Sequence, residues 1–202
     1  MRRQLWQRLI VAGTGLLAAG ILGACAGGDQ SGGPGAGSQS SAPVPADAAF
    51  NAADVAFATN MIPHHQQAVE MAKLAATRAS NSDVKDLADG IAKAQDPEIE
   101  TMAEWLREWR HPVPPTTGTD SSHGGMPGMM SNEEMKNLTG ATGPDFDRTF
   151  LQMMIRHHQG AIEMARTEQR EGQNPEAKTL AESIVTDQTA EITEMQSLLG
   201  KL

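Results

Sequence analysis

From Asp47 to about Ala79, apolar positions recur at helical spacing, interrupted by one proline and few glycines. "SNSD" (Ser80 to Asp83) then supplies a turn and a cap, and a second helical pattern runs from about Val84 to Arg110. The pattern lapses between His111 and about Gly143, a stretch rich in Pro, Gly, Ser, Thr and Met. Within it, "SNEE" at Ser131 to Glu134 reads as the capping box of a short helix. A third long helix is predicted from about Asp145 to Glu171, "GQNP" breaks it, and a fourth runs from about Pro175 to Leu199. No stretch sustains period-two alternation, so the predicted fold class is all-α.

The helical pattern is written twice. "MIPHHQQAVEMA" (Met61 to Ala72) returns as "MIRHHQGAIEMA" (Met154 to Ala165), displaced by 93 residues. At that offset Asp54–Ala72 and Asp147–Ala165 agree at 11 of 19 positions, and Lys85–Met102 and Lys178–Met195 at 8 of 18, with no gap between the blocks. Each repeat therefore reads as a helical hairpin that cannot bury its apolar stripe alone. Two such hairpins predict a four-helix bundle with a long crossover connection.

A helix turns about 100° per residue, so faces follow from position. With Met61 at zero, Ala68, Val69, Ala72, Ala75 and Ala76 fall within about 80° of it, and Gln66, Glu70 and Lys73 lie opposite at about 120–180°. His64 and His65, at roughly 300° and 40°, flank the apolar stripe and point inward. His157 and His158 do the same in the second repeat. A first turn centred on Ser80 sets His65 opposite residues 95 and 96, which brings Gln95 to the histidine level with Glu98 one turn away. Gln188 and Glu191 are the equivalents. The connection from His111 to Gly143 is long enough to cross the bundle, and if it does, helices one and three run antiparallel about a pseudo-two-fold axis. Met61 is then expected near Met164 and Met102, and Met71 near Met154, with Met195 the counterpart of Met102. Asp54 and Asp147 also point inward, about 16 Å further along. Pro63 and Pro97, present in repeat one only, are placed on outward faces.

The chain's start changes the picture of where this bundle resides. Arg2, Arg3 and Arg8 precede an apolar run from Leu9 to Leu22, which ends in "LGAC" at Cys25. This is the layout of a secretory signal over residues 1–24. Cys25 is the only cysteine, so no intramolecular disulfide forms. The "LGAC" string resembles the lipobox of bacterial lipoproteins, which implies lipidation of Cys25 and export to the outer face of a bacterial membrane. Residues 25–46, Gly, Ser, Ala and Pro with little to bury, form a tether. Residues 47–202 hold the bundle: repeat one at 47–110, a Met/His-rich linker at 111–143 and repeat two at 144–202.

The full chain carries a formal charge of −9, and the segment 1–24 contributes three arginines and no acid. A chain this acidic has no clustered cations with which to neutralise phosphates, so nucleic acid is excluded as a partner. It attracts cations instead. The linker string "HGGMPGMM" (His123 to Met130), followed by Met135, sets methionines among Gly and Pro with no evident core to fill. Thioether and imidazole together favour copper, and thioether favours Cu(I) above all. Zinc prefers thiolate, imidazole and carboxylate. A di-iron carboxylate centre needs inward Glu-x-x-His pairs, which are absent, and Glu70 and Glu163 point outward.

The two His-His strings, the "GMMSNEEM" linker and "FDRTFLQMMIRHHQGAIEMA" resemble the bacterial domain-of-unknown-function family 305, over about Ala48 to Leu202. The resemblance implies a ferritin-like bundle in an exported protein or lipoprotein, with a link in some members to copper binding and tolerance. The expected metal ligands are His64, His65, His157, His158, Met61, Met71, Met102, Met154, Met164 and Met195. His123, Met126, Met129 and Met130 form a possible loop site, and Gln95, Gln188, Glu98 and Glu191 stand behind the ligands. The expected role is copper sequestration or delivery without catalysis. The rival readings are a ferritin-like metal-dependent redox enzyme and a metal-free envelope lipoprotein acting through protein contacts.

Overall fold

A computed structural model describes residues 48–115 and 126–202. The signal segment, Cys25, the tether and His123 lie outside the described residues. Among those described, the chain is all-helical, with five helices and no strand. They are α1 (Ala52–Arg78), α2 (Ser82–Glu108), α3 (Asn132–Gly140), α4 (Gly143–Glu171) and α5 (Pro175–Leu199). None is long and apolar enough to cross a membrane.

The helix starts follow local chemistry. Asn51 caps α1 through a box with Asp54, Asn81 caps α2, Ser131 caps α3 through a box with Glu134, and Asn174 caps α5. α1 pairs with α2 and α4 with α5, and the two hairpins meet mainly through α1 and α4.

Two buried aspartates lock that meeting. Asp54, at the start of α1, accepts the backbone N–H groups of Gln173 and Asn174 in the α4–α5 turn at 2.9–3.1 Å. Asp147, near the start of α4, accepts those of Ser80 and Asn81 in the α1–α2 turn at 3.0–3.2 Å. Each pair is the other displaced by 93 residues, so α1 and α4 run antiparallel about a pseudo-two-fold axis. Both carboxylates are buried, and each satisfies backbone donors of a partly exposed turn at the end of the other hairpin.

The apolar core is divided. One cluster holds Phe57, Met61, Ile62, Met102, Leu106, Ala161 and Ile184, with Met164 packed at its edge. The other holds Met71, Ile91, Leu138, Phe150, Met154 and Met195. Met61, Met102 and Met164 thus share one cluster, and Met71, Met154 and Met195 share the other. Both clusters draw on all four long helices, and between them lies a polar layer.

Two expectations fail. Pro63 is buried, not outward. α1 is covered by α2, by α4 and by α3 with its leading loop, so a stripe computed against a single partner understates its buried face. Nor are all the linker methionines without a core: Met130 and Met135 are buried within the second cluster. The linker's end folds back onto the helices, and these two side chains are core filler.

Candidate metal centre

The layer is built from the same residues of each hairpin: His64, His65, Gln95 and Glu98 from α1 and α2, and His157, His158, Gln188 and Glu191 from α4 and α5. Adjacent histidines in a helix diverge by about 100°, so one of each pair faces the other hairpin and one faces its own partner helix. His64 and His157 meet near the pseudo-two-fold axis, with ring centroids 3.8 Å apart and planes inclined by 38°. His65 and His158 turn the other way. His65 Nε2 lies 2.8 Å from Glu98 Oε2, and His158 Nε2 lies 2.7 Å from Glu191 Oε2.

Glu98, expected one turn from the histidine level, thus reaches it directly. Helical side chains tilt toward their own N-terminus, which carries the Glu98 carboxylate back toward the level of Gln95. Gln95 and Gln188 are buried but bond neither histidine, and the Oε1 atom of each is unpartnered.

The linker's end lies across this layer as a strap. His64 Nε2 is 3.0 Å from the carbonyl oxygen of Pro127. Gln67 grips the next turn with both ends of its amide, donating to Met130 O at 2.9 Å and accepting from Met130 N at 2.7 Å. Gly128, at φ +78°, makes the turn that a side chain would strain. A Cβ on Gly160 would fall 2.0 Å from the Pro127 oxygen, so only glycine admits the strap there. Arg156 closes the outer side, with its guanidinium 2.7 Å from Glu134 and 3.3 Å from the Met130 sulfur. Gln67 and Gly160 are equivalent positions of the repeat, as are Pro63 and Arg156. Three of these four residues hold or admit the strap. Sequence reasoning missed Gln67 and Gly160, though the Gln/Gly mismatch within otherwise matching strings was a visible signal.

All four histidines are buried. Burial, reinforced by the neighbouring His65, lowers the His64 pKa to about 3 against the opposing Pro127 bond. Burial first, and then His64, holds His157 well below the ordinary value. Both rings are neutral at physiological pH. The Nδ1 atoms of all four histidines, and Nε2 of His157, have no hydrogen-bond partner. Buried polar atoms are seldom left so, and the layer holds five such nitrogens.

Among the described residues, no three His, Cys, Asp or Glu side chains converge closely enough to hold an ion by themselves. A closed hard-metal centre is therefore not preformed in them. What the layer does present is buried imidazole between methionine-bearing clusters, a kind of donor that suits soft ions. Met61, Met71, Met102, Met154 and Met195 are fully buried, Met164 is half-buried, and Met126 and Met129 are half-buried on the strap.

The family model described as "Domain of unknown function (DUF305)" matches residues 54–199. No curated protein matches the chain. Among solved structures, a DUF305 protein of Streptomyces coelicolor described as secreted is 35% identical, with 74% of this chain and 93% of that chain covered and a TM-score of 0.66. A DUF305 fragment from Deinococcus radiodurans is 33% identical, covering 75% and 98%, with a TM-score of 0.68. CopM in its Cu(II)-bound form is 36% identical, covering 73% and 96%, with a TM-score of 0.64. CopM has also been solved in a Cu(I)-bound form.

Proposed function

The chain belongs to the DUF305 family, and on that premise we propose that it is an extracytoplasmic, lipid-anchored copper-binding protein that sequesters or delivers copper. The observation that carries the reading is the layer of buried histidines with unpartnered nitrogens between methionine clusters. The copper-bound forms of CopM support the choice of ion. His64 and His157 are the primary ligands, because burial keeps both rings free of competing protons. Thioethers from Met61, Met102 and Met164 on one side, or Met71, Met154 and Met195 on the other, complete the shell and favour Cu(I). The four long helices form a ferritin-like bundle whose core supplies this site. His123, Met126 and Met129 capture or release the ion outside it.

The role is binding rather than catalysis: the layer offers ligands, and its carboxylates, Glu98 and Glu191, are engaged by histidine. The "LGAC" string at Cys25 supports the anchor. The Streptomyces coelicolor relative, described as secreted, supports export.

Anaerobic Cu(I) titration against a chromophoric chelator tests the site. His64→Ala with His157→Ala should lower bound copper strongly, whereas Glu70→Ala, on an exposed face, should leave it unchanged. Equal copper retention in the double variant removes the central site. A fall in stability at unchanged metal content assigns the histidines to structure alone.

A further inference from the structure

We propose that Glu98, Glu191 and the Pro127 carbonyl are positioning groups that fix His65, His158 and His64 as Nε2–H tautomers, leaving Nδ1 as the nitrogen offered to metal. The tautomers rest on hydrogen bonding alone, and the metal rests on the copper reading above. A carboxylate and a peptide carbonyl only accept. The bonds at 2.8, 2.7 and 3.0 Å therefore require a hydrogen on each Nε2. A neutral imidazole carries one such hydrogen, so Nδ1 keeps its lone pair. All three Nδ1 atoms are buried without a partner. No acceptor lies within hydrogen-bond reach of any of the three.

A histidine that ligates metal through one nitrogen almost always donates the other N–H to a carboxylate or carbonyl, which orients the ring and raises its basicity. That half of the arrangement is built here three times. The His65–Glu98 and His158–Glu191 bonds are made independently by two hairpins with many other differences between them. A purely structural His–Glu bridge would leave the second nitrogen free to take any partner, yet Gln95 and Gln188, buried in the same layer, bond none of the histidines. The strap supplies the third acceptor, and the absence of side chains at Gly128 and Gly160 lets its carbonyl reach His64. His157 has no carboxylate or strap partner, and the His64 backbone is the acceptor nearest its ring.

Long-range proton–nitrogen correlation on the metal-free, nitrogen-15-labelled protein at neutral pH reads the tautomers directly. His64, His65 and His158 should show protonated Nε2 and bare Nδ1. A protonated Nδ1 on His65 or His158, in either a neutral or a charged ring, overturns the proposal. Cu(I) affinity supplies the second readout. Glu98→Leu with Glu191→Leu should weaken binding by about 10–100-fold. Glu98→Gln with Glu191→Gln, whose amide oxygens still accept from Nε2–H, should restore most of it. Equal loss in the Leu and Gln pairs, with helicity intact in both, overturns the positioning role. Wild-type protein with the expected tautomers and no Cu(I) affinity would overturn the copper reading and leave the tautomers standing.

Discussion

Glu168→Gln should stabilise the protein at alkaline pH and remove a slope from its stability profile. Glu168 is 1% exposed in α4, and its carboxyl folds over Gly172, where a Cβ would lie 2.0 Å from Oε1. Neither oxygen receives a hydrogen bond. Its polar neighbour is the Asp54 carboxylate, already occupied by the backbone N–H groups of Gln173 and Asn174. Two carboxylates have no hydrogen to share unless one is protonated. Burial first, then the bond and charge of Asp54, raise the Glu168 pKa from 4.5 to about 8, with Lys178 opposing. Between those values the folded protein keeps a proton that the unfolded chain has released, so stability falls as pH rises. Each pH unit in that window costs about 1.4 kcal/mol. The cost is about 3 kcal/mol at pH 7 and about 4–5 kcal/mol above pH 8, an upper figure that water reaching the site would trim. Glutamine carries no charge and its amide N–H donates to Asp54 at every pH. Urea unfolding of both proteins from about pH 5 to about pH 9 isolates the effect, because other titrations cancel in the difference. The gap should be small at the acid end and open to several kcal/mol at the alkaline end. A gap constant across the range would refute a protonated Glu168.

Two further changes address the strap. Gly160→Ala sets a Cβ 2.0 Å from the Pro127 oxygen and 2.4 Å from its carbonyl carbon, so the strap must lift. The expected cost is about 1–3 kcal/mol in thermal unfolding, with faster proteolysis of the linker, and an unchanged protein would show that the strap does not dock. Met130→Ala should cost about 2–5 kcal/mol because Met130 is core, whereas Met126→Ala on the half-buried turn should cost within about 0.5 kcal/mol. Equal costs in chemical denaturation would contradict that division.

Residue order alone determined the helices, the hairpins and the inward histidines. These rest on local periodicity, capping chemistry and a repeat of 93 residues, each visible without knowing any distant contact. Most predicted helix ends lie within two residues of the observed ones, but α1 starts at Ala52 and not near Asp47, because Asn51 and Asp54 form the capping box there. Tertiary structure alone decided which groups each histidine meets. His65 finds Glu98 across the hairpin, and His64 finds Pro127 across 63 residues of chain. It also decided that Met130 is core and that Pro63 is covered. It set Glu168 beside Asp54, where repeat one carries Ala75 at the equivalent position. Periodicity reports the face a helix turns toward one neighbour. It carries no information on a linker that returns to cover another face, since that depends on how closely two backbones approach.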